Sequence, residues 1–339
     1  MSSTIHPEMD RLLQGGSDLG ASDLHVIAGV SAAFRVNGEI ILAEEDPFTP
    51  EEVTAMSYSL LSDAQRLKFE QEWELCVSIR HPGAGRVRVT LYRRNGAAEL
   101  SLRFCGESVS TREQLALPER LDDLVRRPNG LVLITGPTGS GKTTTLNYLV
   151  DMLNSERRCK ILTIEDPIEY VHENRRALIH ALRQDPDVMV IGEIRDHEAI
   201  ATALTAAETG HLVLATMHSP GVTHALERII GVFEGSAQRQ VVLQLANTLQ
   251  GIIAQELLPS VDRLRRVLAY ELLLANTAIR TVIRQNELHH LYNVMQTSQR
   301  DGMVLMDNCL MDLYGRAQIT YDTAVSKARQ PDRFQKFAQ

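Results

Sequence analysis

The chain has 339 residues, 44% hydrophobic and 23% charged, a balance that suits a globular protein with enough length for two cores. Its formal net charge of -8 argues against binding nucleic acid through bulk positive charge, because neutralising phosphates needs clustered Lys and Arg. Cys76, Cys105, Cys159 and Cys309 form no C-x-x-C pair, which argues against a zinc ribbon or a disulfide framework and for a reducing compartment, and no apolar run approaches the ~18 to 20 residues of a membrane span.

The N-terminal stretch "MSSTIHPEMDRLLQGG" has no apolar signal region. In "AAFRVNGEI", Asn37-Gly38 between alternating apolar positions predicts a tight hairpin. "FTPEEVTAMSYSLL" offers Thr49 as N-cap, Pro50 at the first helical position and Glu52 three residues after the cap, the signature of a capping box. Three further strands are expected in "ELCVSIR", "GRVRVTLYRR" and "AELSLRF", so residues 1–108 read as a small α+β domain. Polar residues and Pro118 interrupt the strand pattern next, and residues 109–127 are expected to be a linker.

Residues 128–339 carry a longer α/β series. "GLVLITG", "KILTIED", "DVMVIGE" and "HLVLATMHS" are short apolar strands alternating with helical stretches, a pattern that predicts a parallel sheet covered on both faces. The last hundred residues are expected to be helical. There "AQRQVVLQLANTLQGIIAQELL" sets Val241, Val242, Leu245, Leu249, Ile252 and Ile253 at helical spacing, and "MVLMDNCLMDLYG" predicts a helix with Gly315 as its C-cap.

"GPTGSGKTTT" follows the first of these strands and matches G-x-x-x-x-G-K-[ST]. Its residues Gly136, Pro137, Thr138, Gly139, Ser140, Gly141, Lys142, Thr143 and Thr144 are the expected nucleotide-phosphate cradle. Lys142 offers a charge to β/γ oxygens and Thr143 a hydroxyl to Mg²⁺. Ligands of an open parallel sheet sit beyond the carboxyl ends of its strands, where "TIEDPIEY" brings Glu165 and Asp166 and "VMVIGEIRD" brings Glu193. One carboxylate near the metal and another near the attacking water suit phosphoanhydride hydrolysis, although each is also an ordinary helix-start residue. His211 and His218 lie seven positions apart in "GHLVLATMHS", so an extended strand would separate them by roughly 23 Å and turn them to opposite faces. One metal cannot take both; His218 falls on the nucleotide side, and His211 reads equally as a structural histidine.

Together with "ILTIEDPIEYVHE", "LRQDPDVMVIGEIRDHEAIATALTAAETGHLVLATMHS" and "AIRTVIRQNELHHLYNVMQTSQRDGMVLMDNCLMDLY", the P-loop segment resembles the secretion ATPases of type IV pilus systems, and more narrowly the PilT-type retraction motors. The resemblance runs from about Ala21 to Phe334. It implies a PAS-like N-terminal α+β domain followed by a RecA-like P-loop ATPase domain with a helical C-terminal portion. It further implies Glu165 as the water-activating base, Glu193 as the Walker-B acid supporting Mg²⁺, and His218 as a γ-phosphate sensor. Arg86 and Arg88 match N-domain arginines that reach nucleotide in ring hexamers of the family, and they read equally as an exposed strand face. No four-cysteine zinc insert of the assembly branch is present. "AIRTVIRQ" stands where the family has its retraction signature, with Arg280 and Arg284 on one helix face, solvated by default and coupling residues by resemblance.

The chain departs from the family after "YVHENRRALIH", where it is shorter by about 17 residues, more than a usual connection. The implied function is a cytoplasmic homohexamer, peripheral at the inner membrane, that uses ATP and Mg²⁺ to drive pilus retraction through a platform protein, with no nucleic acid expected. A type II/IV secretion or DNA-uptake ATPase and a weakly hydrolysing nucleotide-binding regulator remain alternatives.

Overall fold

The computed structural model describes residues 5–94, 96–105, 109–165, 170, 172–180 and 186–337, the side chains of residues 180 and 335–337 aside. These residues form two compact units, the second beginning at Val109 and the first also taking in Tyr170.

The first unit begins with α1 (Pro7–Asp18) and continues through β1 (Asp23–Val26), β2 (Ala33–Val36), β3 (Glu39–Leu42), α2 (Pro50–Ser59), α3 (Asp63–Glu72), β4 (Glu74–His81), β5 (Gly85–Arg94) and β6 (Ala97–Cys105). Its antiparallel sheet has the order β3-β2-β1-β6-β5-β4. Asn37 and Gly38 join β2 to β3 with φ of 51° and 92°, the two left-handed residues that match a hairpin turn to the strand twist. At the start of α2, Glu52 N donates to Thr49 Oγ1 at 3.2 Å and Thr49 N donates to Glu52 Oε2 at 2.8 Å, the expected reciprocal cap. Val53 and Met56 of α2 then pack with Leu100 and Leu102 of β6 in one core. Along β5, Val87, Val89 and Leu91 are buried in that core while Arg86, Arg88 and Thr90 alternate with them on the other face.

In the second unit α4 (Arg112–Leu115) and α5 (Arg120–Val125) precede β7 (Gly130–Thr135) and α6 (Lys142–Glu156). β8 (Lys160–Ile164), β9 (Leu178–His180), β10 (Val188–Ile191), α7 (His197–Glu208), β11 (Leu212–Met217), α8 (Val222–Gly231) and α9 (Gly235–Thr248) follow. The unit ends with β12 (Leu249–Pro259), β13 (Arg266–Leu274), α10 (Thr277–Arg284), α11 (Leu291–Thr297), α12 (Met306–Gly315) and α13 (Tyr321–Lys327). The sheet order is β13-β12-β7-β11-β10-β8-β9, parallel except for the β12–β13 pair. Leu131 and Leu133 of β7 face a core with α7 to α10, whereas Val132 and Ile134 face a second core with α5 and α6. Burial on both faces is why these strands read as continuous apolar runs.

Two expectations fail here. The helix predicted across "AQRQVVLQLANTLQGIIAQELL" stops at Thr248, and Leu249, Ile252 and Ile253 belong to β12, paired with β7 and β13. Ile252 and Ile253 point into opposite cores and both are fully buried, so a two-faced strand imitated a helical stripe. Gly315 is the last residue of α12 rather than its C-cap; the left-handed residue is Ala317, at φ 53°, where Gln318 N donates to Leu313 O at 2.9 Å.

At the sheet edge β9 and β10 flank β8 in parallel, and only residues 181–187 connect them. Parallel crossovers ordinarily need about a dozen residues or more. The sequence departure follows His180, and its junction at Ala181 lies outside the described residues.

Candidate functional site

The end of β7 leads directly into the glycine-rich loop, whose geometry depends on backbone torsions that side chains resist. Gly136 has φ 146°, and a Cβ there would lie 2.2 Å from Gln255 O of the adjacent β12. The chain can pass this point only without a side chain. Gly139 and Gly141 have φ of 78° and 88°, and Gly139 faces open space. Ser140 is 2% exposed and its Oγ has no hydrogen-bond partner among the described residues. Thr143 and Thr144, at the start of α6, are exposed. A loop closed to a Cβ at Gly136, an orphaned hydroxyl and exposed threonines at a helix N-terminus fit a phosphate chain.

Lys142 is buried on this loop and donates to Gly136 O at 2.9 Å and Pro137 O at 2.8 Å. Its Nζ also lies 3.3 Å from His218 Nδ1. Burial pushes the Lys142 ammonium below the usual lysine range, although the nearby Glu193 carboxylate opposes this.

The ends of β10 and β11 bring the remaining groups together. Thr216 Oγ1 donates to Gly192 O, and Ile194 N donates to Thr216 O at 2.8 Å, tying the chain after β10 to β11. Glu193 and His218 consequently stand side by side, with His218 Nε2 3.0 Å from Glu193 Oε1. An ammonium can only donate, so His218 Nδ1 accepts from Lys142 and the imidazole proton belongs on Nε2, where Glu193 receives it. Burial, then the Lys142 charge, holds His218 below the usual imidazole range. Burial alone would raise the Glu193 carboxyl, but Arg195, bonded to it through Nε at 2.9 Å and Nη2 at 2.7 Å, and the charges of His218 and Lys142 hold it below the usual carboxylate range.

Glu165 follows β8, half-buried, and a Cβ on Gly192 would lie 3.2 Å from its Cγ. The glycine before Glu193 thus lets the two acidic strand ends approach. Asp166 lies outside the described residues. His211 and His218 flank β11 instead of lying on it. His211 Nδ1 donates to Ala206 O at 3.0 Å and its carbonyl accepts from Gly130 N at 3.0 Å, so His211 ties α7 and β7 to the far end of the strand.

The structure therefore gathers Lys142, Glu193 and His218, with Glu165 at a neighbouring strand end. Arg86 and Arg88 stand on β5 of the first unit, where Arg86 Nη1 donates to Ser78 Oγ at 3.2 Å and Arg88 Nε to Cys76 Sγ at 3.3 Å. Sequence reasoning missed Arg195, Arg228 and Glu271. Arg228 Nη1 donates to His218 O at 2.6 Å, and Glu271 accepts from Val222 N at 3.0 Å to cap α8 just after His218. Arg195 was legible as the neighbour of Glu193 in "GEIRD"; the other two come from α8 and β13, with no local pattern to mark them. Arg280 is not a solvated residue: its Nη1 donates to Ala246 O at 2.7 Å and Asn247 O at 2.8 Å, closing the C-terminus of α9.

A parallel sheet ending in a glycine-rich cradle, with a lysine, an acid and a histidine converging on it, defines a P-loop nucleotide-binding protein. Residues 3–264 match the family described as Type II/IV secretion system protein, and the chain belongs to this family. The "Type IV pilus retractation ATPase PilT" of Pseudomonas aeruginosa is 37% identical over 344 aligned residues, covering 96% of this chain and 100% of that protein. The "Twitching motility protein" of Neisseria gonorrhoeae is also 37% identical, covering 89% of this chain and 86% of its own. The crystal structure of the pilus retraction motor PilT with bound ADP superposes with a TM-score of 0.86 at 37% identity, covering 96% of this chain and 98% of that one. The resemblance to PilT-type ATPases thus extends from the motifs to nearly the whole chain, in sequence and in fold.

Proposed function

We propose that this chain is a Mg²⁺-dependent ATPase that works as a homohexamer and powers type IV pilus retraction, from the cytoplasm, through a platform protein of the inner membrane. The observation that carries the reading is the Lys142–His218–Glu193 chain of contacts at the P-loop. The full-length likeness to retraction ATPases of the same family supports the choice of task.

The amides and side chains from Gly136 to Thr144 would hold the nucleotide phosphates, and Thr143 and Glu193 would hold the metal. MgATP supplies the phosphoanhydride whose cleavage releases the energy. Lys142 bonds the loop's own carbonyls in this structure, so anion binding exchanges one set of acceptors for another without stripping water from a bare cation. His218 connects the terminal-phosphate side of the loop to the end of β11, and Arg228 holds its backbone. Glu165 accepts the proton of the attacking water in this reading, and Arg86 and Arg88 are its candidate N-domain arginines for the nucleotide.

Phosphate release by purified protein with and without Lys142→Ala tests the enzyme assignment. The variant should fall by about two orders of magnitude, as lost electrostatic stabilisation predicts; equal rates would refute it. Deleting the gene should abolish retraction and leave cells with more pili, whereas fewer pili would point to an assembly or secretion role. The shortening of the chain after "YVHENRRALIH" favours a second reading, a nucleotide-binding regulator that hydrolyses little. Tight nucleotide binding without turnover in the unaltered chain would select it.

A further inference from the structure

The pole of the second unit opposite the P-loop, where the parallel strands begin, collects arginines from four separate segments. Arg127 precedes β7, Arg157 and Arg158 follow α6, Arg176 precedes β9, and Arg280 and Arg284 lie on α10 beside the C-terminus of α9. Contacts tie three of the segments together and fasten the fourth to α9: Arg157 Nη1 donates to Arg127 O at 3.4 Å and Arg176 Nη1 to Glu156 O at 3.5 Å, while Arg284 Nη2 donates to Asn247 Oδ1 at 3.3 Å. All the acceptors are neutral. Neighbouring Arg126 and Arg175 are matched by Glu156 at 2.9 Å and Asp151 at 3.1 Å, but none of the first group has a carboxylate within ion-pair distance among the described residues. Arg280 feels its neighbours Arg127 and Arg284 as like charges. A chain with a net charge of -8 thus concentrates uncompensated guanidinium groups at one pole.

Beside Arg127, a cavity of about 260 Å³ has an apolar floor of Leu124, Leu274 and Ala275 and polar walls that include Gln250 and Asn276. Asp123 and Asp301 also line it. We infer that this pole is a docking surface for an acidic protein segment, which sets carboxylates on the arginines and one apolar side chain into the cavity. Guanidinium forks suit paired carboxylates geometrically. The interleaved aspartates and the recess distinguish this surface from one built for a continuous phosphate array, which wants unbroken positive charge. The surface is remote from the nucleotide cradle along the strands, so it can take a partner while the site turns over.

The test uses the full chain and a fluorescein-labelled peptide of alternating glutamate and leucine, with phosphatidylglycerol vesicles and a single-stranded DNA oligonucleotide as comparators. Binding of the peptide should weaken with added salt. It should fall at least tenfold in Arg127→Glu/Arg157→Glu/Arg284→Glu, with basal phosphate release within twofold of the unaltered chain. An Arg→Ala version of the same triple variant, which removes charge without adding repulsion, should show an intermediate loss while still unfolding in a single cooperative thermal transition. Absence of peptide binding by the unaltered chain overturns the inference, as does equal binding by the variants. Preferential binding of vesicles or DNA that disappears in the same variants would replace the acidic segment with a phosphate surface.

Discussion

Lys142 Nζ lies 3.3 Å from His218 Nδ1, which joins the first turn of the P-loop helix to the end of β11 through a single imidazole. The other nitrogen of that ring is 3.0 Å from Glu193 Oε1, so one histidine contacts a lysine and an acid simultaneously. His218→Ala removes both contacts without touching the glycine cradle. It should lower kcat by about two orders of magnitude, the usual scale for a positioned proton-transfer or electrostatic group. ADP affinity, measured by titration calorimetry, should change less than about threefold; a matching loss of affinity would make His218 a ground-state binding residue instead.

The depressed His218 has a pH signature. Burial and Lys142 hold its folded pKa below the usual imidazole value, and burial does the same to His25 and His172. The unfolded chain therefore binds more protons than the folded one once the pH drops toward 6.5. Stability from these groups is fully present above that value and declines as pH falls through their folded values. Thermal midpoints should be lower at pH 5.5 than at pH 7.5. His218→Asn should narrow the difference, and an unchanged difference would assign it to the other groups.

Gly136 and Gly139 differ in what a methyl group would meet. Gly136→Ala drives a Cβ into Gln255 O, 2.2 Å away, and should abolish nucleotide binding or folding. Gly139→Ala meets open space and bears only its left-handed torsion, which costs about 1–2 kcal/mol. Urea unfolding of the two variants checks the ranking.

Arg280→Ala leaves the last carbonyls of α9, Ala246 O and Asn247 O, without their guanidinium donor. The loss should be about 1–3 kcal/mol in chemical unfolding, the scale of hydrogen bonds to charged groups. Arg284, exposed and bonded among the described residues only to Asn247 Oδ1, should cost less when truncated. If the two variants unfold alike, the capping role of Arg280 is wrong.

Much of the fold was determined locally. Asn37-Gly38 and the Thr49 to Glu52 cap are decided within four residues by torsional sterics and reachable donors, and both form as expected. The P-loop likewise follows from where glycines are placed between an apolar strand and a helix. Those same motifs were sufficient for the family, and for naming Lys142, Glu193 and His218 as candidates. Partners distant in sequence decided the rest. Ile252 and Ile253 satisfy a helix pattern as well as a strand pattern, and only pairing with β7 and β13 chooses the strand. Arg280 reads as solvated until α9 brings its carbonyls to it, and the arginines at the far pole are unremarkable until four chain segments meet. Local sterics act through a few neighbouring residues and are written in sequence order, whereas burial, pairing and charge depend on which distant segments the fold makes adjacent.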